Sequence, residues 1–403
     1  MIYRNIIYNF LALIYVFSFN FQNVKLFPQV GSISMIGEYY LLPISFLIYF
    51  FKKKECSNKI SKIYKNYIVY FIITSIFMNT VFYIFLNKIE IYGELFLVKS
   101  IHLFLHLVFQ FISINALFYI FKQVKFKNIK WILNINFIFL VYYFIYEKYF
   151  LKEIGRIKLL TPEPSGAGLL ISVIFFITFY INKKIIIRFL ITCIYLIILY
   201  YTGSKGAVLC LLVSFLIYAV INLKKHMKSM FFVLFSTILF FKLFFYEKII
   251  NLFIIDLEKY TSLVTRSWSI ITAIITTLIF PFGSSGGYLF TYSFFGEIIK
   301  KIYIYLFPKL NYLEINFMLE TGIALSPKAG IFFGILVSGI GYIYMLISIF
   351  KYLYKNFKSE SVLIMLLICY FVSNLFYSSE IQAPIQILIY SFLLYIVKFD
   401  EEG

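Results

Sequence analysis

The chain has 403 residues, of which 62% are hydrophobic and 14% are charged, and its mean hydropathy is +0.90. Apolar runs of membrane-spanning length recur from end to end, so the composition excludes a soluble globular protein and predicts an all-α polytopic membrane protein. The formal net charge of +19 does not indicate nucleic-acid binding, because the Lys and Arg residues fall mainly in short clusters between the apolar runs.

Apolar runs separated by basic clusters predict about twelve transmembrane helices. The predicted spans lie near 5–20, 36–51, 67–86, 98–121, 131–146, 164–181, 186–201, 206–222, 230–246, 329–350, 361–378 and 382–397. This arrangement places both termini and most basic clusters in the cytoplasm, as the positive-inside rule requires. The first run follows Arg4 without a small-residue cleavage site, so we interpret it as a retained span.

One predicted outer loop, at 247–328, is far longer than the other connections. It divides the chain into nine spans at 1–246, the loop itself, and three further spans with a cytoplasmic tail at 329–403. Within the loop, SIITAIITTLIF is too short to cross a membrane and is predicted to be re-entrant or interfacial. SFFGEIIKKIYIYLF has apolar residues at helical spacing and predicts an amphipathic helix on the outer membrane surface.

Basic residues on the predicted outer side depart from the positive-inside bias and indicate an anionic partner there. They are Lys148, Lys152, Arg156, Lys158, Lys205, Lys259, Arg266 and Lys328. Arginine is rare in this chain, and a guanidinium group binds phosphate in a bidentate manner, so Arg156 and Arg266 are the more informative cations. The alternative for each outer cation is contact with lipid phosphate or water.

Two short segments place polar side chains at predicted outer helix ends. In LLTPEPSGAGLL, Glu163 stands between two prolines before a span, and Ser165 and the helix N-terminus would stabilise its charge. In YTGSKGAVL, a tight glycine turn holds Lys205, and Ser204 is predicted to cap the next helix. Alternatively, Glu163 and its prolines only start the following helix, and YTGSKGAVL is only a hairpin turn.

The outer loop carries further candidate residues near its two ends. Arg266 opens RSWSIITAIITTLIFPFGSSGGY, whose glycine-rich part lacks the GxxxxGK[ST] pattern of a nucleotide-binding P-loop and is predicted to be a flexible turn. LETGIALSPKAG places Glu320 and Lys328 at the return to the membrane, with Glu320 as an acid/base group or a helix-capping partner.

His102 and His106 share a predicted helix face, but no companion ligands accompany them, so we expect no metal site.

In their order along the chain, these motifs resemble the O-antigen polymerases (Wzy type), which belong with the O-antigen ligases in one polysaccharide polymerase/ligase superfamily. The resemblance covers 150–345: a Pro-Glu-Pro-Ser before a span, a TGS-[basic]-GA hairpin, and an outer insert that opens R-x-W…PFG and closes E-x-G. It implies a glycosyltransferase of the bacterial inner membrane that acts on the periplasmic side, without metal, nucleotide or other cofactor. Such an enzyme moves a growing glycan from undecaprenyl pyrophosphate onto the next lipid-linked repeat unit, in the biosynthesis of lipopolysaccharide or a related surface polysaccharide.

The resemblance also implies roles for individual residues. Arg266 and Lys205 would hold the pyrophosphate and stabilise it as leaving group, and Glu163 would bind sugar hydroxyls or take a proton from the acceptor. The remaining predicted substrate contacts are Arg156, Lys158, Ser165, Ser204, Glu320 and Lys328. Lys205 departs from the arginine more usual in that hairpin, which keeps the charge but loses bidentate contact.

Two other activities, and a purely structural membrane scaffold, compete with polymerisation. A ligase would transfer glycan to the lipid A core, but ligases typically carry a histidine shortly before the E-x-G segment, and the insert here has none. A flippase or exporter of lipid-linked oligosaccharide would place charges at mid-membrane in broken helices, whereas the unusual charges here lie at outer helix ends. The expected partners are the lipid-linked glycan, the bilayer and a chain-length regulator, and no nucleic acid.

Overall fold

The computed structural model describes residues 2–22, 41–151, 155–222, 242, 262–308, 310–327, 329–376 and 385–402. In this part of the chain, α-helices account for nearly all regular structure. They are α1 (Ile2–Ser18), α2 (Leu42–Cys56), α3 (Lys59–Leu86), α4 (Phe96–Gln123), α5 (Phe126–Ile145), α6 (Pro164–Ile181), α7 (Ile185–Thr202), α8 (Lys205–Asn222), α9 (Ser262–Ile279), α10 (Tyr288–Leu306), α11 (Leu313–Thr321), α12 (Gly330–Phe357), α13 (Ser361–Phe376) and α14 (Ile385–Glu402). A π-helical turn (Tyr146–Phe150) extends α5, a 3₁₀ turn (Ser285–Gly287) precedes α10, and strands β1 (Glu90–Ile91) and β2 (Glu94–Leu95) form an antiparallel hairpin between α3 and α4.

Among the described residues, seven helices are long and apolar enough to cross a membrane: α3, α4, α5 with its π-helical turn, α6, α7, α8 and α12. Shorter apolar helices occur within α1, α9, α13 and α14. The protein is therefore an all-α membrane protein. Each predicted span contains a helix except the one near 230–246, which lies outside the described residues apart from Lys242. The total of twelve spans stays a prediction.

Helix α3 begins earlier than the span predicted at 67–86. The Asn58 side chain accepts a hydrogen bond from the backbone N–H of Ser61 at 2.7 Å and caps the helix, which therefore starts at Lys59. The lysine-rich turns that hydropathy assigns to a loop thus belong to the helix. At its other end, α3 leads into the β-hairpin.

The β-hairpin Glu90–Leu95 marks one end of the helix bundle, which we call the hairpin end. Asn9 of α1 and Asn20, just after its end, contact Asn128 and Asn136 of α5 through side-chain hydrogen bonds of 3.1 and 2.6 Å, so α1 and α5 run in the same direction. Helices α3 to α8 follow one another through short connections and alternate in direction, so the α5–α6 connection and the α7–α8 turn lie at the hairpin end. Helix α12 runs antiparallel to α3, because Ser338 contacts Tyr67 and Tyr352 lies beside Lys59, so its start lies at the hairpin end as well. The final turns of α8 and α12 line one cleft at the opposite end, as these directions require.

Helices α9 and α10 form a helical hairpin whose connecting turn is buried. Helix α9 has 18 residues, longer than the predicted twelve-residue run, and packs against α10 and α12. The glycine-rich turn was expected to be flexible, but Ser284 and Ser285 are almost fully buried. The Ser285 hydroxyl lies 2.5 Å from Ser75 Oγ on α3 and 3.0 Å from Ser100 Oγ on α4. The turn is thus packed between these two helices.

The same turn fills a break in α12 at Gly339, where φ is 55° and ψ is −138°. In a regular helix, Ile340 N would donate to Leu336 O. Here Ile340 N donates to Pro281 O at 2.9 Å, and Ser284 N donates to Leu336 O at 2.8 Å. Two bonds to the turn therefore replace one helical bond, and both backbone groups at the break keep a partner.

Candidate functional site

Glu163 is the N-cap residue of α6 and has an extended backbone, with φ −136° and ψ 148°. Its side chain is exposed, and Pro164 occupies the first helical position. The Ser165 hydroxyl donates to Glu163 Oε2 at 3.1 Å. The predicted proline start and the predicted contact with Ser165 are confirmed. The carboxylate stands at the N-terminus of an apolar helix, where the backbone N–H dipoles favour an anion.

Glu147, which the sequence analysis missed, anchors the segment that leads to Glu163. Its side chain is only 3% exposed and accepts the backbone N–H groups of Lys158 at 2.8 Å and of Leu159 at 3.0 Å. Leu159 and Leu160 are both left-handed, which costs about 1–2 kcal/mol per residue. Charge-assisted hydrogen bonds from the carboxylate offset this cost. The sequence feature that could have indicated this role is an acidic residue at the end of a long apolar run.

The turn between α7 and α8 is built from the residues that the sequence indicated. Gly203 ends α7 in the left-handed conformation at φ 55°. The Ser204 hydroxyl is buried and accepts a hydrogen bond from Ala207 N at 3.3 Å, which confirms its predicted capping of α8. Lys205 is the first residue of α8 and is partly exposed. The cation is thereby held at a helix N-terminus, although the serine hydroxyl is already engaged in capping.

The α5–α6 connection packs directly on the α7–α8 turn. Arg156 Nε donates to Thr202 O at 3.2 Å, and the Arg156 side chain lies against Gly203. Helix α6 approaches the same turn so closely that a Cβ on Gly168 would lie 2.7 Å from Ser204 Cβ and Oγ. These contacts gather one set of predicted site residues, which we call the Glu163 cluster: Arg156, Lys158, Glu163, Ser165, Ser204 and Lys205.

The Glu163 cluster combines one carboxylate with three cations at the hairpin end. Arg156, Lys158 and Glu163 are all exposed, and Glu163 forms no ion pair with the described residues. The cations can bind an anion such as a phosphate group, while the carboxylate can accept hydrogen bonds from hydroxyl groups. The set therefore has the chemistry to bind a molecule that carries both groups.

Two further predicted site residues, Arg266 and Glu320, lie in another part of the fold. Arg266 is exposed on α9, and the neighbouring Thr265 donates to Glu314 Oε2 of α11 at 2.8 Å. Glu320 is exposed near the end of α11. Among the described helices, α9 packs mainly on α10 and α12, whereas the Glu163 cluster is carried by α6, the α7–α8 turn and the segment before α6. Lys328 lies outside the described residues.

No protein-family model matches the chain, and no curated protein matches it either. Within the described ranges, no group of three or more His, Cys, Asp or Glu side chains is arranged to hold a metal ion.

Proposed function

We propose that the protein is a membrane glycosyltransferase that polymerises undecaprenyl-pyrophosphate-linked oligosaccharide repeat units on the periplasmic face of the bacterial inner membrane. The Glu163 cluster carries this proposal, because it presents one exposed carboxylate and several cations on a fixed backbone at one end of an apolar helix bundle. A polyprenyl pyrophosphate keeps its tail in the bilayer and its charged group at the surface. A site at helix ends matches that distribution of apolar and anionic groups.

The proposed reaction forms one glycosidic bond and breaks one sugar–phosphate bond. A hydroxyl oxygen of the acceptor sugar attacks the anomeric carbon of the donor glycan, and undecaprenyl pyrophosphate leaves with the electron pair of the broken C–O bond. Negative charge grows on the leaving oxygen, so nearby cations lower the energy of the transition state. The Glu163 carboxylate takes the proton of the attacking hydroxyl.

The cations of the cluster are suited to the pyrophosphate. Arg156 uses Nε on a backbone carbonyl, and its remaining guanidinium N–H groups can bind phosphate oxygens. Lys205 adds its charge to the N-terminus of α8, where backbone N–H groups already favour an anion. Arg266 remains the proposed second pyrophosphate contact, from α9, while Glu320 and Lys328 are proposed to contact the glycan.

Deletion of the gene, followed by gel electrophoresis of the surface polysaccharide, tests the activity. Loss of a polymerase leaves a single repeat unit on the acceptor core instead of a ladder. A ligase defect would remove attached glycan and leave long polymer on the lipid carrier. An unchanged ladder would refute both enzyme functions.

Complementation with variants tests the site. We expect Glu163→Gln to reduce polymerisation by about 100-fold or more, because general-base catalysis contributes 10²–10⁴-fold in rate. Glu360→Gln, at the opposite end of the bundle, is the matched control and should restore the full ladder. If Lys205→Ala and Arg266→Ala both give full-length ladders, the pyrophosphate assignment is wrong.

One observation favours the exporter alternative, since broken helices mark the substrate sites of many transporters and α12 is broken at Gly339. The break, however, is occupied by the buried turn and by hydroxyl contacts such as Tyr67 Oη to Ser338 Oγ at 2.8 Å. No charged side chain takes part in those contacts among the described residues, which favours polymerisation. Exporter loss would remove surface glycan without leaving polymer on the periplasmic lipid carrier.

A further inference from the structure

A cavity of about 390 Å³ opens at the hairpin end, where the β-hairpin meets α4, α10 and the loop that follows α11. Its volume falls within the range of roughly 300–1,000 Å³ that is typical of small-molecule binding sites. Polar and aromatic side chains of Tyr92, Glu94, Lys99 and Tyr288 line it, together with the loop 321–326. None of these residues belongs to the Glu163 cluster.

The charged groups of the cavity neutralise each other. Lys99 Nζ lies 2.6 Å from Glu94 Oε2, and both side chains remain partly accessible. A lone cation would favour a phosphate, but a paired cation offers an anion little net attraction. An ammonium–carboxylate pair instead supplies donors and acceptors side by side, which suits the hydroxyl groups of a neutral ligand.

The Tyr288 hydroxyl belongs to a side chain that is only 6% exposed and lines the cavity. No hydrogen bond joins this hydroxyl to any described residue. Tyr292, one turn later on α10, is fully buried, and its hydroxyl donates to Ser269 O at 3.3 Å. Because it faces the cavity, the Tyr288 hydroxyl is free to hydrogen-bond a polar group of a bound molecule.

The walls of the cavity are fixed. Tyr92 Oη is 2.8 Å from Ser293 Oγ and also donates to the Leu319 carbonyl, which ties the β-hairpin to α10 and α11. Gly322 is left-handed and lies on the Tyr92 ring, where a Cβ would come within 2.6 Å. A rigid, preformed wall lowers the entropic cost of binding a ligand.

We propose that this cavity binds neutral sugar residues of the glycan substrate. Tyr288 Oη and the Lys99–Glu94 pair would hydrogen-bond sugar hydroxyls, and the tyrosine rings would pack on the apolar faces of the sugar. The inference rests on the proposed function and deepens it by separating a glycan subsite from the pyrophosphate-binding Glu163 cluster.

Binding to the purified full-length protein in lipid nanodiscs tests the proposal. The probe is the oligosaccharide repeat unit released by mild acid from the surface polysaccharide of the producing cells, followed by saturation-transfer NMR and titration. We expect Tyr288→Phe and Lys99→Met each to bind it about tenfold more weakly, as for the loss of one hydrogen bond. Tyr305→Phe and Lys300→Met are matched controls, since Tyr305 is 86% exposed and Lys300 pairs with a glutamate elsewhere on α10, and both should bind normally.

Three outcomes would overturn the inference: no binding to the unmodified protein, equal binding by both cavity variants, or displacement of the oligosaccharide by inorganic pyrophosphate. Thermal unfolding of each variant shows whether a loss of binding reflects a loss of fold, and Lys99→Met provides a second reading if Tyr288→Phe is unstable. The deletion gel separates the two proposals. A single-repeat phenotype with no binding refutes only the glycan subsite, whereas normal binding with an unchanged ladder refutes only the polymerase.

Discussion

Gly339→Ala probes the junction between the broken helix α12 and the buried turn of the α9–α10 hairpin. A Cβ at this position would lie 2.0 Å from Pro281 O, and the backbone has φ 55°, which alanine rarely adopts. Such a backbone conformation costs about 1–3 kcal/mol. Moving the turn away breaks the bond from Ile340 N, and a buried group without a partner costs a further 1–3 kcal/mol or so. We therefore expect the free energy of unfolding to fall by roughly 2–6 kcal/mol.

Thermal unfolding in detergent micelles, followed by tryptophan fluorescence, measures this loss. Trp268 reports on the hairpin, because it is fully buried and its indole N–H donates to Gly296 O at 3.0 Å. Gly93→Ala is the matched control, since Gly93 has φ 74° but no atom within 4 Å of an added Cβ. The Gly93→Ala substitution therefore has the cost of a left-handed alanine but produces no steric clash. Equal shifts in the unfolding temperature for Gly93→Ala and Gly339→Ala would refute the proposed role of the turn.

Two further substitutions test how the Glu163 cluster is built. Glu147→Ala removes the acceptor of two backbone N–H groups, so the segment at Lys158 and Leu159 should detach. Trypsin should then cleave after Lys158 several-fold faster, and an unchanged cleavage rate would show that Glu147 does not hold this segment in place. Gly168→Ala places a methyl group 2.7 Å from Ser204 and should destabilise the protein by about 1–3 kcal/mol in thermal unfolding, whereas Gly166→Ala meets only a side chain at 3.3 Å and should be nearly neutral. Similar losses for both glycines would show that α6 and α8 are not closely packed.

Helix ends that carry local signals could be predicted from the sequence. The span predicted at 164–181 coincides with α6 (Pro164–Ile181), because proline fixes the first turn. The start of α8 was predicted within one residue, since a glycine turn and a capping serine precede it. Signals of this kind depend on a few consecutive residues and need no knowledge of the tertiary structure.

The buried turn of the helical hairpin could not be predicted in the same way. PFGSSGG has the composition of an exposed turn, and what buries it is a set of partners on α3, α4 and α12 that are distant in sequence. The role of Glu147 was missed for a similar reason, because its two partners lie beyond the π-helical turn and the chain must fold back to reach it. Burial of a polar group depends on tertiary packing, which composition alone does not determine.

The separation of Arg266 from the Glu163 cluster bears on how a polymerase would handle two lipid-linked substrates. Each turnover needs a donor that loses its pyrophosphate and an acceptor that keeps it, so one anion site is not sufficient. Under the proposed function, the Glu163 cluster and Arg266 supply cations on two different parts of the fold, α6–α8 and α9. The cavity at Tyr288 lies between the β-hairpin and the start of α10, in contact with the loop that follows α11. If Arg266 binds the acceptor, Arg266→Ala should raise the acceptor concentration needed for half-maximal polymerisation. Lys205→Ala should instead lower the rate of pyrophosphate release from the donor. Effects of both variants on the same kinetic parameter would indicate a single shared anion site.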